Sequence, residues 1–327
     1  MRFLRTVFGV SESHRMFQAD VLRWKCFAPH PFWEGGRGYA LRHKGEIAAF
    51  GCLIPCRFLT GSGTVASCNV IDWAAGKTVP GAGIMLYRFI RGLTGTMINI
   101  GGTDDARKVL PKIGFQARAE RDGYTRVVRP WRHFRKADRK DWKSPLRLAR
   151  DYRELARAAP GGRALTVRRV PSFDGVPAEV FPDPLVAQQV VCARTPESLG
   201  YFLACPAARM DAYLLERGQT PVGYFVLSQV GSQCRIADLW IRSADRLEWA
   251  EAYAAVIAAA RMDPDTTEVT AAGSSPLQTD ALRQAGYRRT LAEPVFVLDP
   301  DGLLGDRNDL AVNLLENDGF YWSGDSR

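Results

Sequence analysis

The chain has 327 residues, with 44 Lys and Arg against 35 Asp and Glu and a net charge of +9. That length is enough for two domains with a core each, and the moderate basic excess suits an anionic cofactor or substrate. No apolar run approaches the roughly 20 residues of a membrane span, and the opening Met1-Arg2-Phe3-Leu4-Arg5 lacks a signal-peptide core, so a cytoplasmic location is expected.

From the N-terminus, Leu22 to Pro29 predicts a helix with an aromatic centre, stopped by proline. Tyr39 to Ala49 alternates around Lys44-Gly45 as a hairpin. Cys68-Asn69-Val70-Ile71-Asp72-Trp73 predicts a strand, Pro80-Gly81-Ala82-Gly83 a glycine loop and Ile84 to Ile90 an apolar helix. Met97 to Ile100 follows as a strand, then a helix closing on Gly114-Phe115. A strand feeding a Gly-x-Gly turn that opens a helix presents backbone N–H groups and a helix dipole to a phosphate or pyrophosphate. A bare Gly-x-Gly would signify only a tight turn; the order of its neighbours makes it a binding loop.

The segment from Arg129 to Arg157 holds 11 Lys and Arg against 4 acids. Residues 131–160 read as a basic helical linker, with Leu146, Leu148, Tyr152 and Leu155 packing one face onto a domain and Pro160-Gly161-Gly162 as the stop. Interspersed acids favour a solvated connector over a membrane-surface patch, and no motif supports nucleic-acid binding. Leu165 to Val170 predicts the opening strand of a second unit. The earlier elements then recur about 170 residues further on, in the same order: Leu199 to Pro206 echoes Leu22 to Pro29, Ala212 to Val222 the hairpin, Ile236-Ala237-Asp238-Leu239-Trp240 the strand bearing Asp72, and Ala285-Gly286-Tyr287 the Ile113-Gly114-Phe115 close, with Leu282 matching Leu110. The division expected is 1–130, linker 131–160, 161–300 and a tail 301–327 whose Phe320-Tyr321-Trp322 docks onto a domain.

The order of parts from Asn69 to Phe115 resembles the GNAT superfamily of acyl-CoA-dependent N-acetyltransferases. The resemblance implies an α/β fold of two tandem GNAT-like domains, each a mixed β-sheet flanked by helices. The family's Gln/Arg-x-x-Gly-x-Gly/Ala loop appears as Thr78-Val79-Pro80-Gly81-Ala82-Gly83, with both glycines and without the leading Gln/Arg. Its Asn-x-x-Ala-x-x-x-Tyr-x-x-x-Gly-Phe helix appears with Ala106, Gly114 and Phe115, but with Thr103 for Asn and Leu110 for the Tyr that commonly protonates the departing thiolate. Acetyl-CoA is the implied co-substrate, held by Gly81, Ala82, Gly83 and Ile84, with pantetheine along Ile71 and Trp73 opposite Asn99, Gly101 and Gly102. The second copy reads Ile241-Arg242-Ser243-Ala244-Asp245-Arg246-Leu247-Glu248-Trp249 at the loop position. Its bulk and its acids would repel a pyrophosphate, which assigns the cofactor to the first copy.

Transfer to an amine needs a base or an amine-orienting group, and Asp72 is the expected catalytic residue: a carboxylate inside an apolar strand is costly there unless paired or used, and apolar surroundings would raise its pKa toward a useful range. The alternative is that Asp72 holds the fold through hydrogen bonds, which Asp238, at the matching place in the copy without the loop, supports. His43 is a weaker base candidate. Cys68 lacks a His-Asp pattern and reads as a buried thiol, and the seven cysteines as reduced core residues, with no metal site. The expected activity is acetyl transfer to a small-molecule amine, with an amino sugar of a polysaccharide pathway as a plausible acceptor. The rivals are a Fem-type aminoacyl transferase, against which the glycine loop counts, and a non-catalytic acyl-CoA-binding or scaffold module, which Thr78 and Leu110 favour.

Overall fold

A computed structural model of the chain describes residues 1–136, 141–156, 165–187, 189–305 and 310–322. The expected stop at Pro160-Gly161-Gly162, the 160/161 boundary and the last residues of the tail therefore lie outside the described residues. The first half runs α1 (Arg2–Phe8), α2 (Ala19–Phe27), β1 (Gly38–His43), β2 (Glu46–Thr60), β3 (Gly63–Ala75), α3 (Ala82–Arg91), β4 (Thr96–Ile100), α4 (Asp104–Val109) and β5 (Gln116–Val127). Two connecting helices follow, α5 (Pro130–Lys136) and α6 (Ser144–Ala156). The second half runs β6 (Thr166–Val170), α7 (Pro184–Ala187), β7 (Val190–Cys192), α8 (Pro196–Leu203), β8 (Arg209–Arg217), β9 (Thr220–Val230), β10 (Gln233–Ile241), α9 (Arg246–Arg261), β11 (Glu268–Gly273), α10 (Pro276–Gln284), β12 (Arg288–Leu298) and β13 (Leu310–Ala311). The predicted echoes thus fall on matching elements: α2 and α8, the β1–β2 and β8–β9 hairpins, β3 and β10.

All these strands belong to one sheet, ordered β13-β7-β2-β3-β4-β12-β5-β11-β10-β9-β8-β6, with β1 also on β2. β12 lies between β4 and β5, antiparallel to both, and β5 continues onto β11. The last strand of each half is therefore inserted beside the other half, and the sheet has no break at the expected boundaries near 130 and 160. Burial follows the same plan. One large core joins residues of both halves, among them Phe17, Phe58, Tyr124, Phe225, Tyr253 and Phe320. A smaller one lies beneath α3, where Leu86, Tyr87 and Ile90 meet Leu53, Val70, Met97, Leu110 and Phe115.

The aromatic tail docks as expected, and against both halves. Phe320 and Tyr321 are buried, stacking edge-on to Trp24 at 6.3 and 5.7 Å. The Asn69 side chain donates to the Glu316 carbonyl at 2.7 Å, and Glu316 ion-pairs with Arg194. The linker helix departs from expectation. Leu148 and Leu155 are half-buried, whereas Leu146 and Tyr152 are 63% and 48% exposed. A carboxylate sets its rotation instead: buried Asp151 pairs with Arg150 at 2.8 Å and with Arg288 of β12 at 3.5 Å.

Candidate functional site

The parallel β3–β4 ladder runs only from Ser67–Thr96 to Asn69–Ile98. Beyond it the strands separate. On its other side β3 carries a bulge, Ile71 pairing with Cys52 and Ala74 with Phe50, so Asp72 and Trp73 together face Gly51. Asp72 adopts a φ of 51° there, a left-handed conformation that Asp and Asn tolerate better than most residues. A bulge bends its strand and re-aims side chains, and here it turns β3 away from β4. Asn99 spans the opening, its amide donating to the Val70 carbonyl at 3.3 Å. The backbone of Ile71 to Trp73 is thereby left without a β4 partner, as pairing with an extended ligand would require.

The glycine loop delivers α3 to the mouth of this opening. The helix begins at Ala82, so Ala82 and Gly83 lie in its first turn rather than in the loop. Gly81, the residue before it, has a φ of 80° and no side-chain cap. The Ala82 N–H donates to the Val79 carbonyl at 3.2 Å, so the first-turn N–H groups of Gly83 and Ile84 and the dipole are what the helix start offers an anion. Gly83 has a packing role: a Cβ would lie 3.1 Å from Ala75 Cβ and 3.3 Å from Trp73 Nε1. Trp73 donates to the Gly83 carbonyl at 3.0 Å. The counterpart α9 is closed. Asp245 caps it, accepting from the Leu247 N–H at 2.8 Å, with Glu248 also in its first turn. The start of α3 fits a pyrophosphate, whereas the two carboxylates at the start of α9 would oppose one. Among the described residues no group of three or more His, Cys, Asp or Glu is placed to hold a metal.

Asp72 does not face open space. Its side chain is 1% exposed and forms an ion pair with Lys25 of α2, itself 2% exposed. Burial opposes the lysine charge most strongly, but Asp72, Cys52 and Asp318 together raise the Lys25 pKa. Asp238 of β10 is held likewise, by Arg194 Nε at 2.8 Å and the Tyr224 hydroxyl at 2.8 Å. The expected catalytic residue Asp72 thus lies in a buried ion pair, as Asp238 does, which fits the alternative of an aspartate that holds the fold, and its burial does not suit a base in contact with an amine. His43 is exposed at the end of β1. Cys68 is fully buried, and burial pushes its thiol up to about 12. Leu110, where the resembled family has Tyr, is also fully buried. All seven cysteines are free and buried.

At the far end of β4 a cleft of about 770 Å³ opens where the halves meet, and Ile100, Gly102, Thr103, Arg121, Glu293 and Asp318 are among its walls. Gly101, whose N–H donates to the Pro294 carbonyl at 3.0 Å, and Gly102 so stand where β4 meets the cleft. Glu293 of β12 ion-pairs with Arg121 of β5. Asp318 comes from the C-terminal segment, which the sequence singled out only for its aromatics. Its signal was an Asn-Asp-Gly turn inside an apolar context.

No protein-family model matches the sequence, and no curated protein is similar to it in sequence. Solved structures are similar in fold. A GCN5-related N-acetyltransferase from Anabaena variabilis superposes with a TM-score of 0.57 at 12% identity, over 90% of this chain and 68% of that one. Saccharomyces cerevisiae N-myristoyltransferase with bound myristoyl-CoA gives a TM-score of 0.61 at 13% identity, over 90% of this chain and 79% of that one. A probable N-acyltransferase from Enterococcus faecalis gives 0.56 at 10% identity, over 93% and 69%. The chain shares its fold with these structures.

Proposed function

We propose that the protein is an acyl-CoA-dependent N-acyltransferase that moves an acyl group, acetyl in the simplest case, from coenzyme A to a small-molecule amine. The observation that carries this reading is the asymmetry between equivalent helices: α3 begins uncapped beside a splayed strand pair, and α9 begins with a carboxylate cap. The pyrophosphate would sit at the N–H groups of Gly83 and Ile84, and the pantetheine arm along Ile71 to Trp73, with Asn99 marking its opposite wall. The acyl group then points toward Gly101 and Gly102 and the cleft, where the acceptor enters. Coenzyme A supplies the activated acyl carbon, and the chain supplies its placement. An amino sugar remains the acceptor class we favour, since Thr103, Thr125, Thr270 and Thr290 offer hydroxyls around the cleft and Trp322 an aromatic face.

The test places a negative charge at α3 without disturbing Gly83. Gly81→Asn and Gly81→Asp share a shape and tolerate positive φ, so their difference is charge. Calorimetry with coenzyme A should show the Asp variant binding at least about tenfold more weakly than the Asn variant, or about 1.4 kcal/mol. Equal affinities would remove the pyrophosphate from α3, and no binding by the unmodified protein would end the acyltransferase reading. Buried Leu110 favours one alternative, acyl-CoA binding without transfer. Coenzyme A binding with no thiol release across an amine panel would support it.

A further inference from the structure

We propose that Asp318, carried into the cleft by the C-terminal segment, is the catalytic residue that takes a proton from the acceptor, and that the acceptor arrives as a primary ammonium. The inference rests on the acyltransferase reading and assigns its base.

The placement comes from geometry. Asp318 shares the cleft wall with Ile100, Gly102 and Thr103 at the end of β4, where the reacting carbonyl is expected, and with Glu293 of β12. Anchors hold the segment on both sides of it: the Leu315 N–H donates to the Ala237 carbonyl of β10 at 3.2 Å and Arg235 of β10 donates to the Gly319 carbonyl at 2.7 Å, while the N–H groups of Tyr321 and Trp322 close a turn on the Asp318 carbonyl at 3.2 and 3.0 Å. A base must reach its proton within hydrogen-bond distance, and a carboxylate on a pinned segment is positioned to do so. Asp72 lies behind it, locked to Lys25.

The surroundings also set its proton affinity. Asp318 is faced by Asp72 of β3, Lys25 of α2, Arg121 of β5 and Tyr321 of its own segment, with Glu293 and Arg235 elsewhere in the cleft. Burial first, then the Asp72 carboxylate, push the Asp318 carboxyl up to about 6, against the pull of Lys25 and Arg121. A base near that value is ionised at neutral pH and still basic enough to share an ammonium proton. The second acid of the cleft, Glu293, adds negative charge for a cationic acceptor, although Arg121 partners it. In the reaction the ammonium gives one proton to Asp318, and the freed lone pair attacks the thioester carbon. The N–C bond forms as the C–S bond breaks. The nitrogen's second proton joins the departing thiolate as the free thiol, and Asp318 releases its proton to solvent.

The experiment follows thiol release from acetyl-CoA with glucosamine, spermidine and a lysine-containing peptide between pH 5 and 9, alongside coenzyme A calorimetry and thermal melting. For the unmodified protein kcat/KM should rise with pH through about 6, because the base must be deprotonated. Asp318→Asn should lower kcat by about 10²-fold or more, remove that acidic limb, and leave coenzyme A affinity and melting temperature unchanged. Asp318→Glu should restore part of the rate. A retained rate and limb in Asp318→Asn overturns the assignment while the acyltransferase reading stands. So does a wild-type profile flat from pH 5 to 7, which needs no variant to fold. Coenzyme A binding without turnover of any amine overturns both, and is recognised because the unmodified protein is already inactive.

Discussion

Lys25 and Asp72 form a buried ion pair whose partners lie in distant segments, a helix with an aromatic centre and an apolar strand. Removing one member of such a pair leaves an uncompensated charge, which costs about 3–5 kcal/mol. Lys25→Met should therefore lower unfolding stability in urea by that amount. Adding Asp72→Asn, which keeps the side-chain shape and tolerates the positive φ, should restore more than half of the loss. An unchanged midpoint for Lys25→Met would mean that the pair is not held in solution. His30 shows the opposite treatment of a charge: burial, with Arg37 and Arg194 nearby, lowers it to about 3, so it stays neutral at physiological pH. Buried cations are kept where acceptors answer them, the Asp72 carboxylate for Lys25 and the Trp24, Lys25 and Ala28 carbonyls for Arg37, and the His30 imidazole is discharged.

Helices of similar position serve different ends because of their first residues. Asp245 caps α9 from within the chain, while Gly81 leaves the start of α3 without a side-chain cap. Gly83 illustrates a second distinction. Packed against Trp73 and Ala75, it would resist a side chain for reasons of space, so Gly83→Leu should lower stability by about 1–3 kcal/mol through overpacking, readable as a lower melting temperature without coenzyme A. An unaltered melting temperature would return Gly83 to a purely ligand-binding role. In α6, Asp151 orients the helix and the apolar positions follow. Asp151→Ala should loosen α6 from Arg288, raising amide exchange there. Leu146→Ala, at an exposed site, should change stability by no more than about 0.5 kcal/mol.

At the scale of the molecule, insertion of β12 between β4 and β5 makes each half depend on the other for a strand. An unpaired edge such as β4, all five of whose residues are buried, invites misassembly. Residues 1–164 and 165–327 made separately should fail to give monomers with cooperative unfolding, and should recover them when co-expressed. A first fragment that folds alone would show that β12 adds to its sheet without completing it. The same exchange places the cleft at the seam, with walls from β4, β5, β12 and the C-terminal segment. No described helix is long and apolar enough to cross a membrane.

Local pattern determined most of the elements of this protein: the period of apolar residues, the glycine loop, the stops at proline and the repetition of all of these in one order. These signals are written within a few residues of the structure they produce, so α3, β3, β4 and the β10 counterpart of β3 were legible, as was the absence of a glycine loop after β10. Partnership between remote segments has no such local signature. That β12 would enter the first half's sheet, that Asp72 would meet Lys25 and sit sealed, that Asp151 would outrank Leu146 and Tyr152, and that Asp318 would reach the cleft were decided by tertiary structure. The reason is physical. A buried carboxylate's environment depends on which cations and apolar groups the whole fold gathers around it, and a strand's neighbour depends on which edge is left open when all the others have paired.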